Sequence, residues 1–284
     1  MLKKSITLLM SVFMLCTFGQ KNESKSLFNQ FSKKLSASFE SNSQWYLNDT
    51  KFGEFEEDEH LRTTNFLRLD YEISENFSAG LQLESYAPEN LLNNSNLYDK
   101  DIGIATYYIR YRTKKFDLIL GHFYEQFGSG LILRSWEDRN LGVNTAIHGA
   151  KLVYFPSEDI RITTLHGRQR KGFGFSEGRI FGLDSEININ NALSIMNESS
   201  LILGLSYVGK KENYVNEQNE SNKKIPELIN AFSARLDFSH KNFYSSFEYV
   251  GKSKDVRLNN IIPNQVSFSE TQNFKGNAVS WTAG

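Results

Sequence analysis

Apolar and polar residues alternate along most of the chain beyond about residue 34. In the segment 67–73, for example, Leu, Leu, Tyr and Ile are interleaved with Arg, Asp and Glu. A period of two places successive side chains on opposite faces of an extended chain, so each such segment predicts a strand with one apolar and one polar face. The eleven segments that predict strands are 35–47, 67–73, 77–84, 105–112, 116–125, 150–154, 160–162, 181–189, 201–207, 232–238 and 243–249.

The predicted connections alternate between short and long. Short turns are predicted at 74–76, 113–115, 156–159 and 239–242, with a slightly longer one at 190–199. Long connections are predicted at about 49–61, 88–101, 128–147, 168–178, 210–228 and 253–276. Short periplasmic turns and long outer loops are typical of bacterial outer-membrane barrels, whereas a soluble β-sandwich has no reason to keep this rhythm. The pattern therefore predicts an all-β, antiparallel up-and-down transmembrane β-barrel.

The two ends of the chain suggest processing and truncation. Lys3 and Lys4 precede an apolar run over 6–18, which predicts a signal peptide at 1–19 because a membrane-spanning helix needs about 20 residues. We expect a periplasmic segment at 20–33 and a barrel over 34–284. The last residues resemble the start of a further strand, and an open edge leaves unpaired amides in lipid, so we expect a C-terminally truncated barrel of about 11–12 strands.

Composition narrows the class of protein. Aromatic residues make up 13% of the chain, with only 4 Pro, yet the mean hydropathy is −0.45. A barrel with one lipid-facing and one water-facing side reconciles these values, although the core of a soluble sheet also contains aromatics. The net charge of −1 gives no general attraction to nucleic acid. The one cysteine lies in the predicted signal peptide, so the mature chain has no thiolate for catalysis or for binding a soft metal.

The densest motif lies at 121–142. It reads Gly-His-Phe-Tyr-Glu-Gln-Phe-Gly-Ser-Gly-Leu at 121–131 and Leu-Arg-Ser-Trp-Glu-Asp-Arg-Asn-Leu-Gly at 133–142. This stretch resembles the signature of a porin-like outer-membrane family of unknown function in Bacteroidota, domain of unknown function 6029. The resemblance implies a barrel in the bacterial outer membrane, and it implies no substrate, cofactor or catalytic residue.

The same motif contains candidate residues for a constriction. Gly128 and Gly130 allow the backbone to bend at the end of a strand, because glycine accepts positive φ and close approach. We expect the charged residues that follow to fold inward and narrow the pore, although they also suit an exposed loop in which the charges pair with one another. These residues are Arg134, Glu137, Asp138 and Arg139.

A cluster of basic residues follows at 161–179, and Glu177 is the only acidic residue in that stretch. Inside the lumen these cations would favour anions and give weak anion selectivity. At the outer rim they would instead meet the phosphates of lipopolysaccharide, and the residues alone leave both alternatives open. The members of the basic cluster are Arg161, Arg168, Arg170, Lys171 and Arg179.

The acidic run 54–59 predicts a solvated loop, since it lacks the spacing of a calcium site.

The chain shows no convincing catalytic or metal-binding motif. Gly-Phe-Ser-Glu-Gly at 174–178 has the letters of a nucleophile elbow, but that motif needs a strand and a helix around it. The five histidines show no close metal-ligand spacing. We therefore expect no enzyme activity, no cofactor and no metal.

Two functions fit the predicted barrel. The first is a passive channel for small hydrophilic solutes, and the second is a non-conducting surface or structural barrel that binds a partner through its long loops. Outer-membrane lipid and lipopolysaccharide are expected partners, as is the barrel-assembly machinery during insertion. A further surface or periplasmic partner stays open, and nucleic acid is not expected.

Overall fold

The computed structural model describes residues 32–48, 51, 60–91, 98, 101–190, 199–212, 227–256, 261–262, 265–266 and 273–284. The predicted signal peptide, most of the predicted segment 20–33 and the acidic run 54–59 lie outside the described residues. The chain divides into two compact units, residues 1–107 and 108–284.

The first unit is an antiparallel sheet. Its strands are β1 (Leu35–Trp45), β2 (Leu61–Glu72), β3 (Phe77–Ser85), the short β4 (Glu89–Asn90) and the first half of β5 (Ile102–Arg112). β1 pairs with β2 along its whole length, and β2 pairs with β3 by way of the short turn at 73–76. β4 adds a brief parallel contact to β2.

The second unit contains the end of β5 and all later strands. They are β6 (Phe116–Phe123), β7 (Gln126–Phe127), β8 (Leu133–Arg134), β9 (Glu137–Asp138), β10 (Val143–Asn144), β11 (Ile147–Ser157), β12 (Ile160–Lys171), β13 (Gly174–Asn188), β14 (Ser199–Lys211), β15 (Leu228–His240), β16 (Phe243–Val256), β17 (Ile261–Ile262), β18 (Gln265–Val266) and β19 (Asn273–Ala283). The long strands pair antiparallel in chain order, β5-β6-β11-β12-β13-β14-β15-β16-β19. The short strands form the pairs β7-β8, β9-β10 and β17-β18.

The predicted all-β, antiparallel up-and-down fold is confirmed, and every predicted strand segment overlaps a long strand. The predicted long connection at 168–178 is wrong, because β12 and β13 continue to a turn at 172–173. Strand pairing continues there although polar residues lie on both faces of β12 near its end. The last strand begins at Asn273, before the apolar alternation that predicted it.

The long strands of the second unit have an apolar and a polar face. One row across β14, β15, β16 and β19 pairs Leu205 with Ala234, Tyr249 and Val279 in turn. The next row, which faces the opposite way, pairs Gly204 with Arg235, Glu248 and Ser280. On the apolar face Leu205 is 66% exposed, whereas on the polar face Glu248 is 2% exposed. The buried face of this sheet is therefore the polar one.

The first unit repeats this arrangement. The register pairs Leu69 with Leu81 on one face, and places Gln82 and Glu84, both buried, on the other. Tyr86 has the phase of Gln82 and Glu84 and is buried as well, with its hydroxyl donating to Glu84 Oε2 at 2.7 Å. Tyr86, although aromatic, therefore lies on the polar face of this sheet. Burial and the Glu84 carboxylate raise the pKa of Tyr86, which keeps the hydroxyl protonated.

Candidate functional site

Arg235 is the centre of an ion-pair network on the polar face of the second unit. Its Nη2 donates to Asp184 Oδ1 at 2.9 Å and to Glu186 Oε1 at 3.0 Å. Its Nη1 donates to Ser206 Oγ at 2.6 Å, and Ser206 donates to Asp184 at 2.6 Å. Arg235 and Asp184 are almost fully buried. Because a buried charge without a partner is costly, each member holds the others in place.

The network continues along the same face through further charges. Arg161 Nη1 donates to Glu186 Oε2 at 3.1 Å, and its Nη2 lies 3.9 Å from Glu125 Oε1. Lys151 Nζ donates to the other oxygen of Glu125 at 3.0 Å. The charges thus alternate in sign from Lys151 to Asp184, and the basic and acidic members are equal in number. This part of the polar face is consequently close to neutral.

The segment between β6 and β11, residues 124–146, folds against the polar face. Phe127 and Leu133, which are paired across the β7-β8 hairpin, are buried. They pack in a cluster with apolar residues that the strands contribute to this face, namely Ile119, Phe123, Ile147, Leu165 and Val208. Gly182 makes room for the hairpin, since a Cβ there would lie 3.0 Å from Phe127 Cε2. The hairpin is therefore anchored by apolar packing on a largely polar surface.

The tip of this hairpin reaches across to β15 and β16. Gly128 and Gly130 have φ values of 54° and 89°, a region that glycine adopts easily. A Cβ on Gly128 would lie 2.3 Å from Arg235 Cδ, so only glycine allows this approach. Ser129 donates its backbone N–H to Glu248 Oε2 at 2.9 Å, and its hydroxyl donates to the same oxygen. Glu248 Oε1 accepts a further hydrogen bond from Ser233.

The four predicted constriction residues lie in the rest of this segment. Arg134 is exposed and its guanidinium lies 4.8 Å from the centre of the Trp136 ring. Arg139 Nε lies 3.6 Å from Glu137 Oε1, and Asp138 accepts backbone N–H groups of the turn that joins β9 and β10. The structure thus brings Glu137 and Arg139 together, while Asp138 serves the turn. Their role as a constriction stays a prediction.

The predicted basic cluster does not form one site. Arg161 lies on the polar face in the network above, and Arg170 is buried, with its Nε donating to the carbonyl of Gly172 at 2.7 Å. Arg168 and Arg179 are cross-strand partners on the apolar face of β12 and β13. Lys171 is exposed at the end of β12.

Several site residues were not predicted from the sequence. Asp184, Arg235 and Glu248 are charged residues near the middle of strands, each flanked by apolar or small neighbours. That flanking was the available signal, because a charge in the polar phase of an apolar strand marks a polar lining. Ser129 gave no such signal, since its partner Glu248 lies 119 residues away along the chain.

Ser135 and Asp138 are held by hydrogen bonds within the segment 124–146. Ser135 donates to the carbonyl of Thr145 at 2.6 Å, and Asp138 is held in its turn. The rings of His122 and His148 lie 4.8 Å apart, a pairing that the sequence spacing did not predict. Within the described ranges, no group of three or more His, Cys, Asp or Glu residues is placed to hold a metal ion. Those ranges also contain no helix of the length and apolarity that crossing a membrane requires.

Comparison with known proteins places the chain in a family. Residues 1–284 match a family of unknown function, DUF6029. The chain belongs to this family. The resemblance of the motif at 121–142 to DUF6029 is thereby confirmed, and no curated protein matches this DUF6029 member.

The DUF6029 chain is also similar to solved porin structures. It is 10% identical to OccK2 (OpdF) of Pseudomonas aeruginosa, with a TM-score of 0.36, and the match covers 78% of this chain and 64% of that one. It is 11% identical to OccK2 in complex with glucuronate, with a TM-score of 0.36, and this match covers 78% of this chain and 64% of that one. It is also 11% identical to a BenF-like porin of Pseudomonas fluorescens Pf-5, with a TM-score of 0.36, and the match covers 78% of this chain and 67% of that one. The chain thus spans less than two thirds of OccK2.

Proposed function

We propose that the protein is a bacterial outer-membrane β-barrel that acts as a porin-like passive channel for small hydrophilic solutes. The observation that carries the proposal is the sidedness of the long strands. Arg235 and Glu248 are buried on the polar face, while Phe232 and Trp281 on the apolar face are 57% and 73% exposed. In water such a face would bind other proteins or aggregate, whereas in a bilayer it meets hydrocarbon.

A soluble sheet protein would show the reverse arrangement. Its apolar face would be packed against a second layer, and its charged residues would face water. In the described part of the second unit, the exposed side of β13 to β16 is instead dominated by Leu, Phe and Tyr. Charged groups belong on the side away from lipid, because a charge in the hydrocarbon region costs several kcal/mol.

The channel is lined by paired charges and narrowed by the segment 124–146. The network from Lys151 to Asp184 presents both signs, so it supports passage of hydrophilic solutes rather than strong selection by charge. Glu137, Arg139 and Arg134 lie in the segment that projects from this lining. They are the residues proposed to set the narrowest passage.

A non-conducting barrel is the second candidate, and the apolar anchor of the hairpin favours it. Phe127 and Leu133 occupy space on the polar face that water would otherwise fill. In this alternative the segment 124–146 closes the passage, and the long connections bind a partner.

Conductance of the full-length protein in planar lipid bilayers distinguishes the two candidates. The channel predicts discrete ohmic current steps, and uptake of small sugars by liposomes that contain the protein. Heat-denatured protein at the same concentration serves as the control. A folded barrel, verified by its heat-modifiable electrophoretic mobility, that passes neither ions nor sugars would overturn the channel and leave the partner-binding barrel.

A further inference from the structure

A row of basic side chains crosses the apolar face of the second unit near one end of its strands. The strand registers pair His148 with Arg168, Arg168 with Arg179, and Arg179 with Lys211. Neighbouring strands lie about 4.8 Å apart, so Arg168, Arg179 and Lys211, the three cations, span about 10 Å. We call His148, Arg168, Arg179 and Lys211 the basic row.

Among the residues that the structure describes, Arg168, Arg179 and Lys211 have no carboxylate partner. Arg168 donates to the carbonyl of Ser176 at 2.6 Å. Like charges directly opposite each other on neighbouring strands are destabilising. Two such pairs in succession concentrate positive charge that a bound anion would neutralise.

The apolar residues next to the basic row locate it at a membrane boundary. Two positions along the same strands, the His166 and Phe181 rings pack at 4.7 Å, and beyond them Leu183 is exposed. The Tyr207 ring lies along Gly209 toward Lys211, and its hydroxyl donates to Asn230 at 2.8 Å. The Tyr207 ring also packs against Phe232 at 5.1 Å, and a tyrosine with its ring among apolar groups and its hydroxyl hydrogen-bonded is typical of the layer between hydrocarbon and headgroups. The basic row thus lies at the height of the lipid headgroups.

The connections identify which leaflet this is. The strand ends at the basic row lead into the long segment 124–146, the short turn 172–173 and the long connection 212–227. The opposite ends are joined by the turns 113–115, 158–159 and 241–242 and by the connection 189–198, which is shorter than the two long ones. In outer-membrane barrels the long connections are extracellular. The headgroups at that level are those of the outer leaflet.

We propose that the basic row binds the phosphorylated headgroup of an outer-leaflet lipid, of the lipopolysaccharide class. Arginine pairs with phosphate oxygens through two parallel N–H donors, and two adjacent arginines flanked by a lysine match such an anion. The acyl chains of the same lipid then lie against Phe181, Leu183 and Leu205. This proposal rests on the membrane-embedded barrel of the proposed function, and it does not depend on conduction.

The first test uses the unaltered full-length protein folded in neutral detergent micelles. Native mass spectrometry compares binding of diphosphoryl lipid A with binding of the same lipid after removal of its phosphates. We expect binding of the phosphorylated form to be stronger by roughly tenfold or more, since each basic residue near a charged lipid surface contributes appreciably. Equal binding of the two forms would overturn the proposal.

The second test compares two charge-matched triple variants. The variant R168Q/R179Q/K211Q removes the cations of the basic row, and K114Q/K115Q/K241Q removes three lysines from turns at the opposite strand ends. The first should lose roughly tenfold or more in lipid A binding, and the second should bind like the parent. An equal loss in both would show general attraction to anions and would sink the proposal.

Two further measurements keep the result decisive. Heat-modifiable mobility verifies folding of each variant, and should the triple variant fail to fold, R179Q alone is expected to weaken lipid A binding by roughly threefold or more. Inorganic phosphate at the same phosphate concentration should not displace the lipid, and displacement would contradict a lipid site. Because binding is measured by mass, a barrel without conductance that binds lipid A contradicts only the channel. A conducting barrel without phosphate preference contradicts only the lipid site.

Discussion

Glu248 and Arg235 face the same direction on neighbouring strands, yet they are satisfied by different groups. Glu248 accepts hydrogen bonds from Ser129 and Ser233, whereas Arg235 donates to Asp184 and Glu186. The position of the hairpin tip therefore depends on the Glu248 carboxylate of β16 and on the space beside Arg235 of β15. Single residues at this point control both the lining and the position of the segment 124–146.

Replacing Gly128 with alanine tests the contact at the tip. Its φ of 54° disfavours alanine, and the added Cβ would overlap Arg235. We expect the free energy of unfolding to fall by about 1–3 kcal/mol. Urea titration in detergent measures this, with Gly251→Ala as the control, because a Cβ at Gly251 has no neighbour within 4 Å. Equal stability of the two variants would mean that the tip does not lie against Arg235.

Replacing Arg235 with methionine tests the buried ion pairs. The variant leaves the buried Asp184 carboxylate without its cation, although Glu186 keeps Arg161, so the free energy of unfolding should fall by about 3–5 kcal/mol. The matched control is Lys252→Met, which removes an exposed partner of Asp255 and should cost at most about 1 kcal/mol. Similar small losses in both variants would contradict a structural role for the Arg235 network.

At the scale of elements, the segment 124–146 has a sequence typical of a loop, but the structure packs part of it against the sheet. Three glycines and many polar residues predict a loop, but Phe127 and Leu133 hold its first hairpin in an apolar cluster. If this hairpin narrows the channel, loosening its anchor should widen the passage.

The variant Phe127→Ala tests this directly. Removing the buried ring leaves a cavity that costs about 3–5 kcal/mol locally, so we expect the hairpin to leave its site more often. Planar-bilayer recordings should then show a larger mean conductance and more frequent transitions between levels. Leu141→Ala, at an exposed position of the same segment, is the control and should leave the currents unchanged. Unchanged currents in both variants would count against a hairpin that controls the passage.

The elements were predictable from sequence to the extent that one face of each strand is apolar. β15 was predicted for this reason, because Phe232, Ala234, Leu236 and Phe238 alternate with Ser233, Arg235 and Asp237 along it. The end of β12 was missed, since Gln169, Arg170 and Lys171 remove the alternation while the strand pairing persists. The position of the hairpin on the polar face depends on Glu248 and Arg235, whose distance along the chain hides the contact from any local pattern.

At the scale of the whole molecule, the stability of the proposed barrel comes from two environments at once. The charged network needs separation from hydrocarbon, and the exposed apolar residues need hydrocarbon to cover them. The positions on the apolar face should therefore differ in their tolerance of charge according to depth. Leu205 lies near the middle of β14, whereas Phe243 begins β16 beside its short turn.

Arginine at these two positions provides the sharpest test of the membrane assignment. Leu205→Arg should lower the free energy of unfolding in lipid vesicles by about 2–4 kcal/mol, whereas Phe243→Arg should lower it by at most about 1 kcal/mol. Both side chains are more than half exposed, so a protein surrounded by water would tolerate both changes equally. Urea titrations followed by tryptophan fluorescence compare the variants with the parent. A depth-dependent cost requires hydrocarbon around the middle of β14, and equal small costs would place water there instead, which would remove the basis for a channel and a lipid site alike.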